Sequence, residues 1–132
     1  MNYEDRDTYG IYKNSNDSGP EPRFMGADTL IGNEVRNHLD EDLGEIKEIM
    51  LDCVNGEISY AVLSFGGILG MGEKLFAIPW KALILDTENK CFVLNIDKKR
   101  LESAPGFDKD NWPDMADKTW ENDIHSYYGT GI

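Results

Sequence analysis

The chain has 132 residues, of which 25 are acidic and 13 basic, giving a net charge of −12. Nucleic acids and anionic lipids are bound by neutralising phosphate with Lys and Arg, so this charge disfavours both as partners. A hydrophobic content of 40% suits one globular domain with a modest core, and no stretch approaches the roughly 18 consecutive apolar residues of a membrane span.

Residues 1–24 are polar and rich in Asn, Asp, Ser, Gly and Pro, and read as a flexible arm that carries Tyr3, Tyr9 and Tyr12. The opening MNYEDRDTYG has no basic patch followed by an apolar stretch, so it is not read as a signal peptide. The cytoplasm is the expected compartment. A first strand is expected at about Asn33–Asn37, followed by a polar turn over Asp40–Gly44. Glu45–Cys53 reads as a long strand whose imperfect alternation predicts a bulge or a bend. Asn55-Gly56 has the chemistry of a type I′ hairpin turn, which needs positive φ at both central residues. It joins that strand to Glu57–Phe65. In this second strand Ile58, Tyr60 and Val62 occupy one face and Ala61, Leu63 and Phe65 the other, which predicts a central strand buried on both sides.

Gly66, Gly67, Gly70 and Gly72 punctuate a loop bearing Ile68, Leu69 and Met71. Leu75–Ile78 is the next strand, ended by Pro79, which has no N–H to donate. Two short strands, Leu83–Leu85 and Cys91–Asn95, flank the turn residues Asp86–Asn89. Asp97 is placed to cap a short helix, Lys98–Ser103, whose Lys98-Lys99-Arg100 run reads as a solvated face. Pro105-Gly106 stops that helix. The tail carries Trp112-Pro113 and a second helix over about Asp117–Tyr127.

About six short strands at close spacing, with a short helix and a partly helical aromatic tail, predict a mainly β protein built as a small barrel. The expected organisation is an arm over 1–24, a barrel over 25–105, and a tail over 106–132 that packs on the barrel or on a partner. Cys53 and Cys91 both lie in apolar runs and read as core thiols in a reducing compartment.

The motifs that would carry chemistry fail one by one. Gly67 and Gly72 have P-loop spacing, but Glu73 stands where the phosphate-binding Lys is needed and Leu75 replaces the hydroxyl. No GxGxxG opens a helix. A calcium loop begun at Asp108 would put Trp112, Pro113 and Thr119 at positions that require an Asp or Asn, a Gly and a Glu. His38 and His125 have no ligand-spaced partners for zinc. No catalytic residue, cofactor site or metal site is assigned. The signal that remains is aromatic. Trp112, Trp120, Tyr127 and Tyr128 crowd the tail, and such residues dominate interface energetics.

Between about Ala27 and Arg100 the chain resembles the PRC-barrel family. The resemblance rests on Leu30-Ile31-Gly32, Leu43-Gly44-Glu45-Ile46, the run from Gly56 to Leu63, and Phe76-Ala77-Ile78-Pro79-Trp80. The tail, from Ala104-Pro105-Gly106-Phe107 to Tyr127-Tyr128-Gly129, is similar to that of stand-alone bacterial members. The family is named for the cytoplasmic domain of the photosynthetic reaction-centre H subunit and includes the C-terminal domain of a ribosome-maturation factor. The resemblance implies a small barrel used for protein docking, with no catalytic pattern to carry over. The chain departs from the H subunit in lacking its transmembrane helix, and from the ribosome factor in lacking a preceding barrel.

The expected function is therefore that of a non-enzymatic adaptor, homodimeric, with no cofactor, no nucleic acid and no integral membrane segment. Its expected protein-binding residues are Trp112, Trp120, Tyr127 and Tyr128 in the tail and Ile68, Leu69 and Met71 in the glycine loop. An alternative is an accessory protein of a membrane electron- or proton-transfer complex, in which Asp40, Glu41 and Asp42 would relay protons. A ligand-binding barrel or an enzyme ranks third.

Overall fold

The computed structural model describes Tyr9, residues 24–66 and residues 73–130. The expected arm, apart from Tyr9 and Phe24, lies outside the described residues, as does the tip of the glycine loop with Ile68, Leu69 and Met71.

A single helical turn, α1 (Ala27–Leu30), precedes β1 (Glu34–Arg36), β2 (Asp42–Asp52), β3 (Glu57–Gly66) and β4 (Glu73–Pro79). A 3-10 turn over Trp80–Ala82 leads to β5 (Leu83–Asp86) and β6 (Cys91–Leu94). Two helices follow, α2 (Lys98–Glu102) and α3 (Lys118–Tyr128). The six strands form one sheet in the order β4-β3-β2-β1-β6-β5, curled into a half-barrel. Only β1 and β6 pair in parallel; the other neighbours are antiparallel. No described helix is long and apolar enough to cross a membrane.

The imperfect alternation of β2 has a structural cause. Its buried residues, Leu43, Ile46 and Ile49, are spaced by three rather than two. The ladder to β1 skips Leu43, and the ladder to β3 skips Lys47, so each step carries one unpaired residue that turns the next apolar side chain inward. Gly44 sits between these bulges at φ +112, and a Cβ there would lie 2.1 Å from the Ser64 carbonyl oxygen on β3. Only glycine permits so close a crossing of the two strands.

The turn into β2 falls earlier than the sequence suggests, at residues 37–41. Asn37 organises it from a buried position. Its Oδ1 accepts from the backbone N–H groups of Leu39 and Glu41, and its Nδ2 donates to the Ile96 carbonyl at 3.0 Å. Asp40 takes the positive φ of 61° that closes the turn.

β3 is central in the sense expected of it, with Tyr60 through Ser64 all buried. Ala61 and Leu63 join the main core, together with Val35, Phe76, Ile78, Phe92 and Leu101. Tyr60 belongs to a second cluster with Ala77 of β4 and Ile124 of α3. Burial on both faces thus arises because the tail helix covers what would otherwise be a wet surface. Asp117 caps α3 by accepting from the backbone N–H groups of Thr119 and Trp120. Gly129, in the left-handed conformation, closes its C-terminus. Asp97 occupies the N-cap position of α2 but makes no side-chain cap bond.

Two expectations are corrected. Asn55-Gly56 is not a type I′ turn: β2 and β3 pair as far as Asp52 and Glu57, and four residues, Cys53–Gly56, form the loop, with positive φ at Gly56 alone. Asp52 is the reason, because its Oδ1 accepts from the Val54 and Asn55 backbone N–H groups and its Oδ2 from the Asn55 side chain, which holds a wider turn. In consequence Cys53 is an exposed loop residue rather than a core thiol, while Cys91 is buried as expected.

Candidate functional site

The wide turn ends the β2–β3 hairpin in a tip that is largely exposed. Three aliphatic side chains are left in water there: Val54 is 93% exposed, Leu51 63%, and Ile58 also lies in the open. Asp52 pins the tip. The Asn55 backbone N–H and then its side-chain amide hold the Asp52 carboxyl below its ordinary range, so the turn is locked by an ionised group.

Beside this tip runs a groove of about 600 Å³ between the hairpin, the 3-10 turn and the start of α3. Met50, Tyr60, Trp80 and Met115 provide its apolar lining, and Asp52, Glu57 and Glu121 outnumber Lys81 and Lys118 among its charged residues. Two of its lining residues, Tyr60 and His125, begin a hydrogen-bonded chain. The Tyr60 hydroxyl is bonded to His125 Nε2 at 3.3 Å, and His125 Nδ1 to Thr130 Oγ1 at 2.6 Å. Burial, and secondarily the Glu121 carboxylate, push the Tyr60 phenol above its ordinary value.

The tail aromatics serve different ends. Trp120 packs edge-on against Tyr60, with ring centroids 5.2 Å apart. Tyr127 and Arg100 clasp one another. The guanidinium lies 4.4 Å from the ring centroid and donates to the Tyr127 carbonyl at 2.9 Å, while the Tyr127 hydroxyl donates to the Arg100 carbonyl. Tyr128 stacks edge-on against Tyr127 and packs on the main core. Burial pushes its phenol far up, and its hydroxyl has no partner among the described residues. These three residues fasten α3 to its own barrel. Trp112 stands apart. It is 41% exposed, leans on Phe107 with centroids 5.0 Å apart, and donates its indole N–H to the Lys109 carbonyl. The expected tail residues therefore do not converge on one surface.

Leu51, Val54 and Ile58 are absent from the expected set. Leu51 and Ile58 fall within the expected strands and are paired with one another in the structure, yet their side chains are exposed, while Val54 lies in the loop between the strands. A signal existed. The pattern Asp-x-x-Asn occurs at 52–55 and again at 86–89, and Asp86 holds Glu88 and Asn89 by the same three hydrogen bonds. Among the described residues no group of three or more His, Cys, Asp or Glu side chains gathers as a metal site. Asp40 and Glu41 lie in the β1–β2 turn, where Asp40 meets Arg36 at 3.5 Å and the Glu41 carboxylate accepts from Asn37, and Asp42 opens β2.

The strand order, the bulged β2 and the Ile-Pro-Trp exit from β4 are the setting in which family membership is decided. The sequence model of the PRC-barrel domain family matches residues 22–101. The chain belongs to the PRC-barrel family. No curated protein matches the chain. The match covers all six strands of this PRC barrel and ends within α2; the tail segment and α3 lie outside it, and α3 packs on Tyr60 of β3 and Ala77 of β4.

Proposed function

We propose that this PRC-barrel protein is a non-enzymatic docking module whose hairpin end receives a segment of a partner protein. The observation that carries the reading is the exposure of Leu51, Val54 and Ile58 beside an apolar groove. Clustered aliphatic side chains in water mark contact surfaces more often than scattered ones do. Barrels of this family often mediate protein interactions, which supports the same reading. The acidic bias of the groove's charged residues and the net charge of −12 favour a segment whose apolar side chains are flanked by Lys or Arg. Of the four tail aromatics, Trp112 is the most exposed and so the one most available to a partner. The reading includes self-association and a reducing, cytoplasmic setting, the latter supported by two unpaired thiols.

Immobilised wild-type chain and its Val54→Asp variant provide the test, with retained proteins identified by mass spectrometry. A partner held by the wild type, released by raised salt and lost with Val54→Asp is the expected result. Identical retention by the two chains would overturn the assignment of the surface.

A further inference from the structure

Asn55-Gly56 is the one Asn-Gly step in the sequence, and it stands at the tip of the β2–β3 hairpin with both residues exposed. Asparagine is a thermolabile residue. Its side-chain carbonyl carbon can close a five-membered ring with the backbone nitrogen that follows, and glycine leaves that nitrogen uncovered because it has no Cβ. The space around Gly56 is open as well, since a Cβ there would meet nothing within 4 Å.

The turn over residues 86–89 supplies a comparison within the same molecule. Asn89 is exposed like Asn55 and is bound in the same way. Its backbone N–H donates to Asp86 Oδ1 at 3.0 Å and its Nδ2 to Asp86 Oδ2 at 2.8 Å, against 3.1 and 2.8 Å for Asn55 on Asp52. The following residue differs. Lys90 stands where the first turn has Gly56, and it takes a comparable positive φ, 56° against 71°. At the hairpin tip the Gly56 N–H also donates to the Asp52 carbonyl at 2.8 Å. Asp52 thus holds both the Asn55 amide and the Gly56 nitrogen, and restrains their approach to one another.

From this geometry we propose that Asn55 is a site of spontaneous deamidation, slowed by the hold of Asp52 on its turn. The Gly56 nitrogen gives up its proton to solvent and attacks Asn55 Cγ. An N–Cγ bond forms, the Cγ–Nδ2 bond breaks, and the amide nitrogen takes up a proton and leaves as ammonia. The cyclic imide then adds one water. Opening at Cγ gives aspartate, whereas opening at the main-chain carbonyl gives isoaspartate, with the chain running through Cβ and Cγ. No electron is transferred, and water is the co-reactant. Either product sets a new carboxylate beside that of Asp52 where an amide had donated to it, so an attraction becomes a repulsion between like charges. The turn that presents Val54 is thereby loosened. What this does to a partner rests on the functional reading above; the modification itself does not.

Incubation of the folded full chain at neutral pH and physiological temperature, followed by proteolysis and mass spectrometry, tests the site. The peptide holding Asn55 should gain the mass difference between an amide and an acid and separate into aspartate and isoaspartate forms, while the peptide holding Asn89 stays unchanged. Asp52→Ala should speed the conversion by about tenfold or more, because hydrogen bonds to a carboxylate are released. Lys90→Gly should create a second reacting site at Asn89, since the backbone there already has a φ that glycine accepts. An Asn55 that stays intact, equal conversion at Asn55 and Asn89 in the wild type, a rate indifferent to Asp52→Ala, or an Asn89 left intact by Lys90→Gly would overturn the proposal. None of these results touches partner capture by the hairpin end, which Val54→Asp reports separately.

Discussion

The tail helix and the β2–β3 hairpin tip have similar apolar content and opposite fates. In α3, Trp120, Ile124 and Tyr128 turn toward the barrel, and Ile124 is only 1% exposed. At the tip, Leu51, Val54 and Ile58 stay in water. Their chemistry does not separate the two sets. The helix can lay its apolar stripe along the outer face of β3 and β4. The tip is left largely exposed among the described residues. A buried stripe contributes to the stability of its own chain, whereas an exposed one is available to another.

That contrast predicts a graded series of effects. Ile124→Ala should be the most damaging change, lowering unfolding free energy in urea by about 2–5 kcal/mol, because it opens a cavity under the helix. Trp120→Ala removes a half-buried ring from Tyr60 and should cost about 2 kcal/mol in the same measurement. If either leaves the urea midpoint in place, α3 is not held as described. Tyr127→Phe deletes only the hydroxyl that donates to the Arg100 carbonyl and should cost about 1 kcal/mol.

Asp52 and Asp86 sharpen the comparison by pH. Both carboxyls are held below their ordinary value of 3.8 by the Asn three residues on, through its backbone N–H first and its side chain next. A depressed folded pKa stabilises the native state above the unfolded value and loses that effect as pH falls through the folded one. The urea midpoints of wild type and of an Asp52→Ala, Asp86→Ala double variant should therefore differ at neutral pH and converge in acid below 3.8. A constant gap between the two curves would show that ionisation is not what holds the turns. Val54→Asp should have the smallest effect on stability, within about 0.5 kcal/mol, since the side chain touches almost nothing. A large destabilisation there would make the tip part of the core and remove it as a docking surface.

Much of this architecture is legible in the residues. Both-face apolarity in Glu57–Phe65 announces a central strand, Pro79 ends β4, and Asp117 marks the start of α3 within a residue. The turns are less legible. Asn55-Gly56 carries the signature of a two-residue loop, and Asp52 overrides it by capturing three donors of its own turn. Cys53 is misplaced for the same reason. The candidate site was the least legible part, because aromatic density in the tail does not say whether a ring faces its own sheet or the solvent.

The sequence by itself determined the class of fold and the family, since strand length, turn chemistry and the Ile-Pro-Trp exit are local properties of neighbouring residues. Tertiary structure decided which apolar residues are spent on the chain's own stability and which are left over. Burial is a property of opposed surfaces, and here the opposing residues are distant in the chain: Ile124 settles on Tyr60 and Ala77, Phe107 closes the edge at Leu75, and nothing among the described residues reaches the outer edge of β5.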